Sequence, residues 1–288
     1  MNIPNIQWYP GHIAKAEKQL NINIKKVDLI IEVRDARIPL STSHPHLRQW
    51  TEGKKHILVI NRKDMITKKA IIAWDIWFRN QGHSPWWSNS KDGTGVKQIL
   101  EAAIKEGEAI NKRRQIRGMK DRPIRALALG FPNVGKSALI NRLVKKKVAA
   151  SARKAGVTRT LQWIRVGQRL DLLDAPGVLP TRLDNQKAAL KLAICDDIGQ
   201  GAYDVESVAI AFVKMLHKIE NNYNDNLISQ TLLKRYGIPL EGEYSEVENW
   251  LIKIAQNQTS GDTRRMSQRI LSDFRKNLLG LISLELPE

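Results

Sequence analysis

Cysteine is almost missing from this chain of 288 residues: there is one, Cys195, inside the apolar run LKLAICDD. A single cysteine excludes an intramolecular disulfide and a zinc centre built on thiolates, and its setting reads as that of a small buried hydrophobe. Long apolar runs are missing too. No stretch approaches the ~20 residues needed to cross a bilayer. The opening MNIPNIQWYPGH has no basic start followed by an apolar run, as a signal peptide would. The expectation is a cytoplasmic, monomeric protein with no membrane partner. Acidic residues are scarce, 29 Asp and Glu against 47 Lys and Arg, for a net charge of +18. The shortage is local: residues 1–181 hold 34 basic and 14 acidic side chains, residues 182–288 hold 13 and 15. A surplus of that size points to a polyanionic partner, most simply nucleic acid. The plainer alternative is surface lysine spread for solubility.

What is present is ordinary for a globular chain, with 42% hydrophobic and 26% charged residues. The length suits one large domain or two smaller ones. Short apolar runs rich in β-formers fall at Asp28–Val33, His56–Ile60, Ile124–Gly130, Leu161–Val166 and Arg169–Asp174, with a weaker one at Pro85–Ser88. Helical patterns lie near residues 12–24, 67–80, 96–116 and 136–146. Strands alternating with helices predict an α/β fold with a mostly parallel sheet, and near-continuous apolar runs predict strands buried on both faces. Beyond residue 182 the strand signal stops, and five helical patterns follow, at 186–195, 205–220, 225–236, 244–256 and 263–282. The expected organisation is an α/β domain over 1–181 and an all-helical domain over 182–288. The basic run Lys112–Arg125 is expected at a loop or helix end between two halves of the α/β domain.

The sharpest local pattern is Gly130-Phe131-Pro132-Asn133-Val134-Gly135-Lys136-Ser137, a full match to G-x-x-x-x-G-K-[ST] between a strand pattern and the helical run that starts at Ala138. The glycines let successive backbone N–H groups turn inward around phosphate oxygens, and the helix start adds partial positive charge. Lys136 is placed to reach the β- and γ-phosphates and Ser137 to ligate Mg²⁺. Val134, Gly135 and Ala138 complete the phosphate-facing backbone. Downstream, Asp174-Ala175-Pro176-Gly177 ends a strand pattern, where an acid can hold Mg²⁺ and the Gly177 N–H can meet a γ-phosphate. Thr158, in the loop between, is either a further Mg²⁺ ligand or an ordinary loop threonine.

The base-reading pattern lies upstream. Asn61-Arg62-Lys63-Asp64 follows a strand pattern and resembles the N-K-x-D element of GTPases, with Arg62 at the usual lysine position. A carboxylate at Asp64 accepts from guanine N1–H and the 2-amino group, a donor pair adenine lacks. Asn61 would face the N7 side and brace the loop. Asn89-Ser90-Lys91 resembles the S-A-K loop that meets guanine O6 through backbone N–H.

The order is base-reading pair first, then phosphate loop, switch threonine and D-x-x-G. That is a rotation of the Ras-like order, and the chain resembles the circularly permuted GTPases. Trp8-Tyr9-Pro10-Gly11-His12, Asp35-Ala36-Arg37-Ile38-Pro39 and Gly156-Val157-Thr158 with Gln162-Trp163 are similar to the ribosome-biogenesis branch of that family. The resemblance implies a circularly permuted P-loop GTPase domain plus a C-terminal helical domain. It also implies a role in late assembly of the large ribosomal subunit, with its precursor and rRNA as partners beside GTP and GDP. Here Ala155 stands where the family has proline and Ala175 where it often has threonine; neither removes a ligand.

The residue after D-x-x-G is Val178, followed by Leu179, where many GTPases carry a water-orienting glutamine. Slow intrinsic hydrolysis follows. By resemblance His12 is the candidate to position water; a helix-start or RNA-contacting histidine is the equal alternative. Also by resemblance, Asn133 is the candidate to hold a K⁺ ion near the phosphates. In the helical part, Arg264, Arg265, Arg269, Arg275 and Lys276 are candidate phosphate contacts on one helix, with a solvated polar face as the plainer reading. Two other function classes remain open: an RNA-linked GTPase of translation or tRNA processing, and a non-catalytic RNA-binding module.

Overall fold

In the computed structural model, the described residues are 4, 6, 18–145, 162–175, 177, 185–223, 226–240 and 246–287. The chain divides into two compact units. One comprises Tyr9–Arg182 with Glu285–Glu288, the other Leu183–Leu284 with Met1–Trp8.

The first unit is built on a six-stranded sheet. Its strands are β1 (Leu29–Asp35), β2 (Lys55–Asn61), β3 (Trp86–Trp87), β4 (Ile124–Leu129), β5 (Gln162–Val166) and β6 (Leu170–Asp174), in the spatial order β3-β2-β1-β4-β6-β5. All neighbours are parallel except β5 with β6. Every residue of β1 is buried, which its central place dictates, since it has a neighbour on each side and cover on both faces. At the edge, β5 alternates: Ile164 and Val166 are buried, whereas Gln162, Trp163 and Arg165 are exposed.

The helices of this unit are α1 (residues 18–24 as described), α2 (Leu47–Thr51), α3 (Lys68–Asn80), α4 (Val96–Ile116) and α5 (Lys136–Val144). One core cluster joins Leu20 and Ile24 of α1 and Trp50 of α2 to Ile30, Leu127, Leu129 and Leu173 of the sheet. A second joins Ala70, Trp74 and Phe78 of α3 to Leu58 and Ile60. Thr67 caps α3 by accepting the Ala70 N–H at 3.2 Å, worth about 1 kcal/mol. The basic run at Lys112–Arg125 is part helix: α4 continues to Ile116, and the link to β4 is residues 117–123.

The second unit holds α6 (Gln186–Cys195), α7 (Val205–Tyr223), α8 (Leu227–Tyr236), α9 (Val247–Thr259) and α10 (Thr263–Arg275). Phe212 and Phe274 meet at 4.8 Å in its core, and Cys195 is buried as expected. The Ile6 N–H donates to Gln186 Oε1 at 3.1 Å, so this early residue is tied to the helical unit.

Helix α10 is shorter than the pattern 263–282 predicts. Asn277 takes φ +63°, and the Leu278 N–H returns to the Asp273 carbonyl at 2.8 Å. That closure satisfies the last turn's carbonyls and ends the helix, while Leu278 is left exposed. The chain then reaches Glu285, which accepts from the Leu40 N–H at 2.7 Å, the Ser41 N–H and the Ser41 hydroxyl in the first unit.

Arg275, expected among the phosphate-facing cations, is used inside the helical unit. Its guanidinium donates to the Ile194 carbonyl at 2.8 Å, the Ala193 carbonyl at 2.7 Å and the Tyr203 hydroxyl, and pairs with Asp196 at 3.4 Å. A fixed cation at the end of α6 neutralises unsatisfied carbonyls and the negative dipole end. Arg275→Ala should destabilise the helical unit by about 2 kcal/mol, the scale of a lost charged hydrogen-bond set; denaturant unfolding followed by far-UV circular dichroism reads this directly. Arg264, Arg265 and Lys276 are exposed and Arg269 is half-buried.

Candidate nucleotide site

The site forms where the parallel strands end. Strand β4 runs into the loop 130–135, and α5 begins at Lys136 behind Gly135. Gly135 has φ +99°, and a Cβ there would sit 2.2 Å from Asn61 Nδ2. No side chain fits, because the base-reading residue packs against the loop at that point. Lys136 is buried, and its ammonium donates to the Gly130 carbonyl at 3.1 Å and the Phe131 carbonyl at 2.7 Å. The charge is therefore held within the curve of the loop, where phosphate oxygens are expected. Ser137 and Ala138 occupy the first turn of α5, whose N–H groups favour anions.

Asn61 is the hub. Its Nδ2 donates to the Val134 carbonyl at 2.9 Å. Its Oδ1 accepts from the Ser90 N–H at 3.1 Å, the Ser90 hydroxyl at 2.8 Å and the Ser88 hydroxyl at 3.2 Å. One buried amide thus joins the phosphate loop to the loop 88–91. These two segments lie 73 and 29 residues from Asn61 along the chain. The Asn89-Ser90-Lys91 loop is expected to meet guanine O6 through backbone N–H, and two of those groups have partners within the protein. The Ser90 N–H goes to Asn61, and the Lys91 N–H goes to Asn89 Oδ1 at 2.9 Å. Asn89 also donates to Asp92 at 2.9 Å, so its side chain shapes the loop itself. A buried acceptor next to the loop takes its donors because an unpaired buried N–H is costly.

Arg62 sits at φ +62° and reaches two ways: Nη1 to Asp35 Oδ2 at 2.9 Å, and Nη2 to the Asn133 carbonyl. Asp35 is wholly buried and also accepts from the Arg37 guanidinium at 2.7 and 3.0 Å. Burial alone would raise the Asp35 carboxyl, but Arg37 and Arg62 hold it below the ordinary carboxylate range. Asp64, in the single turn Lys63–Met65, is exposed and has no hydrogen bond to a described residue. Its carboxylate is therefore open to a donor pair from outside. Arg142 of α5 donates to the Ser90 carbonyl at 3.2 Å and to the Lys91 carbonyl, tying the base-side loop to the phosphate-side helix.

At the end of β6, Asp174 is buried and hydrogen-bonds Ser137 through its side chain. Its Oδ1 has no partner among the described residues. Desolvation raises its carboxyl above the ordinary range, against the pull of Lys136 and the Ser137 hydroxyl. A buried carboxylate oxygen short of a positive partner, touching a hydroxyl at a helix start, fits Mg²⁺, a hard ion that takes oxygen ligands. Gly177 lies against the loop as well: a Cβ there would sit 2.5 Å from Pro132 Cα and N. His12, Thr158 and Val178 lie outside the described residues.

Asp35, Arg37, Ser88 and Arg142 were not assigned to the site from sequence. For Asp35 a signal existed: three charged residues, Glu32, Arg34 and Asp35, in a strand that is otherwise apolar. Charges in such a run are paired or functional. For Ser88 and Arg142 no local signal exists.

The comparisons agree with this geometry. The family described as 50S ribosome-binding GTPase matches residues 125–234. Ribosome biogenesis GTPase A of Bacillus pumilus is 33% identical over 98% of this chain and 99% of its own. That of Bacillus cereus is 32% identical over 98% of this chain and 94% of its own. The crystal structure of GNP-bound YlqF from Thermotoga maritima superposes with a TM-score of 0.61 at 24% identity, covering 95% of this chain and 99% of that one, and shows the same fold. The chain belongs to the ribosome biogenesis GTPase A family, and is a GTP-binding GTPase on a circularly permuted P-loop fold.

Proposed function

We propose that this protein hydrolyses GTP while bound to a precursor of the large ribosomal subunit, and that the bound particle stimulates hydrolysis. The family places the chain in ribosome assembly. The observation that carries the nucleotide reading is the Asn61 amide, which joins the phosphate loop and the 88–91 loop in one buried hydrogen-bond set beside an open Asp64 carboxylate. In this reading Asp64 selects guanine, Lys136 and the backbone of residues 133–138 bind the phosphates, and the Gly177 N–H meets the γ-phosphate. Ser137, Asp174 and Thr158 would hold Mg²⁺, which would supply charge neutralisation at the phosphates. Asn133 would hold a K⁺ ion, which would supply positive charge that an arginine finger gives elsewhere. His12 positions the water that Val178 cannot.

The large net charge of +18 supports RNA as the partner's contact surface. On α10, the exposed Arg264 and Arg265 with half-buried Arg269, and the exposed Lys276 that follows the helix, are the phosphate contacts of this reading.

Multiple-turnover GTP hydrolysis, with and without precursor large-subunit particles, in Na⁺ and in K⁺, tests it. The protein alone should turn over slowly. Particles in K⁺ should raise the rate at least tenfold, and His12→Ala should remove most of that gain while leaving GTP affinity unchanged. Equal rates with and without particles would remove the stimulated-hydrolysis reading; equal rates in Na⁺ and K⁺ would remove the potassium site.

A further inference from the structure

The turn that follows β1, residues 36–42, is held from far along the chain. Glu285 belongs to the short stretch that rejoins the GTPase unit after the helical unit. Its carboxylate accepts from the Leu40 N–H at 2.7 Å, the Ser41 N–H at 3.2 Å and the Ser41 hydroxyl. Its own backbone is fixed as well, because the Trp74 indole N–H of α3 donates to the Glu285 carbonyl at 3.3 Å. Both Glu285 and Ser41 are buried. Taking a carboxylate out of water is expensive, and pinning a chain segment to a surface does not require a charge.

What the turn holds is Asp35. The Thr42 hydroxyl accepts the Asp35 N–H at 3.1 Å and donates to the Ile38 carbonyl at 2.8 Å. The Arg37 N–H donates to the Asp35 carboxylate at 2.9 Å, beside the two bonds from the Arg37 guanidinium. Asp35 in turn holds Arg62, and Arg62 reaches the Asn133 carbonyl in the phosphate loop. Arg62 and Asn133 both have left-handed backbone, at φ +62° and +58°. That conformation is uphill for a residue with a side chain, and it persists only where the surroundings impose it. Each link from Glu285 to Asn133 is a hydrogen bond or a run of the turn itself, and all of them lie inside the GTPase unit.

We infer that Glu285 is a positioning residue for GTP binding: it fixes the turn 36–42, the turn fixes Asp35, and Asp35 holds Arg62 on the phosphate loop. This role rests on residues 130–137 being the phosphate site, and it adds a residue that acts on that loop only through others. Without the Glu285 carboxylate, the Leu40 and Ser41 N–H groups lose their acceptor and the turn loosens. Arg37 and Thr42 then no longer keep Asp35 in place for Arg62. The Asn133 backbone is released from the left-handed region, and the loop has to be ordered again when phosphate binds. Order that the free protein has lost is subtracted from the affinity.

The test uses the full chain and a fluorescent GTP analogue, with Kd and thermal midpoint read for each variant. Glu285→Ala should weaken binding about tenfold, in the range found for groups that share one hydrogen-bond network. Glu285→Gln keeps the shape and one acceptor oxygen, and should weaken it about threefold; it also serves should the alanine variant fail to fold. A merely structural role would move stability alone, and two comparisons separate it. Arg275→Ala, which weakens the helical unit, should lower the thermal midpoint and leave the Kd unchanged within about twofold. Arg62→Ala should itself weaken binding about tenfold, and adding Glu285→Ala to it should change the Kd by less than about twofold, because the route to the phosphate loop is already cut. Unchanged affinity in both Glu285 variants, full multiplication of the Arg62 and Glu285 effects, or an equal loss in Arg275→Ala overturns the proposal and leaves the phosphate site standing. That site is checked separately by Lys136→Ala, which should abolish binding; if this variant binds like the native protein, both readings fall.

Discussion

Asp64→Asn should move base preference from guanine toward xanthine. The Asp64 carboxylate is exposed and makes no hydrogen bond to a described residue, so its acceptor capacity is available to a base. Guanine presents two N–H donors to it, and each hydrogen bond to a charged group is worth about 1.5–3 kcal/mol. An asparagine amide places a donor where guanine already has one. The loss should be about two to four orders of magnitude in GTP affinity, with XTP binding regained because xanthine carries an oxygen at that edge. Competition of GTP, XTP and ATP against a fluorescent guanine nucleotide measures this. An unchanged GTP preference in the variant would remove Asp64 from the base site. The substitution is isosteric and exposed, so the fold should be unaffected within ±0.5 kcal/mol.

The second large effect is expected at Asn61, where stability and nucleotide binding fail together. Its buried amide has four hydrogen bonds to Val134, Ser88 and Ser90. Asn61→Ala orphans the Val134 carbonyl, the Ser90 N–H and two hydroxyls, and leaves a gap against Gly135. Unsatisfied buried groups cost about 1–3 kcal/mol each; with relaxation and water entry, a total of roughly 3–5 kcal/mol is expected. Urea unfolding of the chain, followed by tryptophan fluorescence, should show the loss, and GTP affinity should fall beyond detection at micromolar protein. Asn61→Asp separates the contributions. It keeps the acceptor for Ser88 and Ser90 but turns the donor facing the Val134 carbonyl into an acceptor, so its damage should concentrate on the phosphate loop. A variant that unfolds like the native protein and binds GTP normally would show the hub to be dispensable.

These two positions also show what the sequence could and could not reveal. Asn61 and Asp64 were legible because a short motif follows a buried strand, and the strand itself is an apolar run whose observed bounds, Lys55–Asn61, differ from the expected ones by a single residue at each end. The central strands were legible for the same reason. Helix α2 was not: it has five residues and one buried side chain, Trp50, too few for any periodicity. The end of α10 was missed because Leu278 and Leu279 continue the apolar spacing, while the signal that stops the helix is the backbone of Asn277. Arg275 looked equivalent to Arg264 and Arg265 on a helical pattern. Only the position of the α6 carbonyls, 81 residues away for Ile194, separates them. Asp35 was read as part of a motif, yet its partnership with Arg62 depends on β1 and β2 lying side by side with Asp35 level with Asn61. Motif content is local and was readable; the wiring between motifs is tertiary and was not.

Strand β1 has a consequence for how this protein is made. It emerges from the ribosome early, pairs readily with β2, and then waits for β4, whose Ala126 sits opposite Leu29 almost a hundred residues later. Throughout that interval one whole side of a strand reading LIIEVRD has no hydrogen-bond partner. An apolar strand with an open edge is a template for wrong pairing, and closure over so long a loop is slow. In an unrotated arrangement the phosphate-loop strand comes first and the order of exposure is reversed. Synthesis of this chain therefore passes through a half-sheet that carries the base-reading side alone. Nascent chains stalled between residues 61 and 124 should be the most aggregation-prone lengths and the ones most in need of a chaperone.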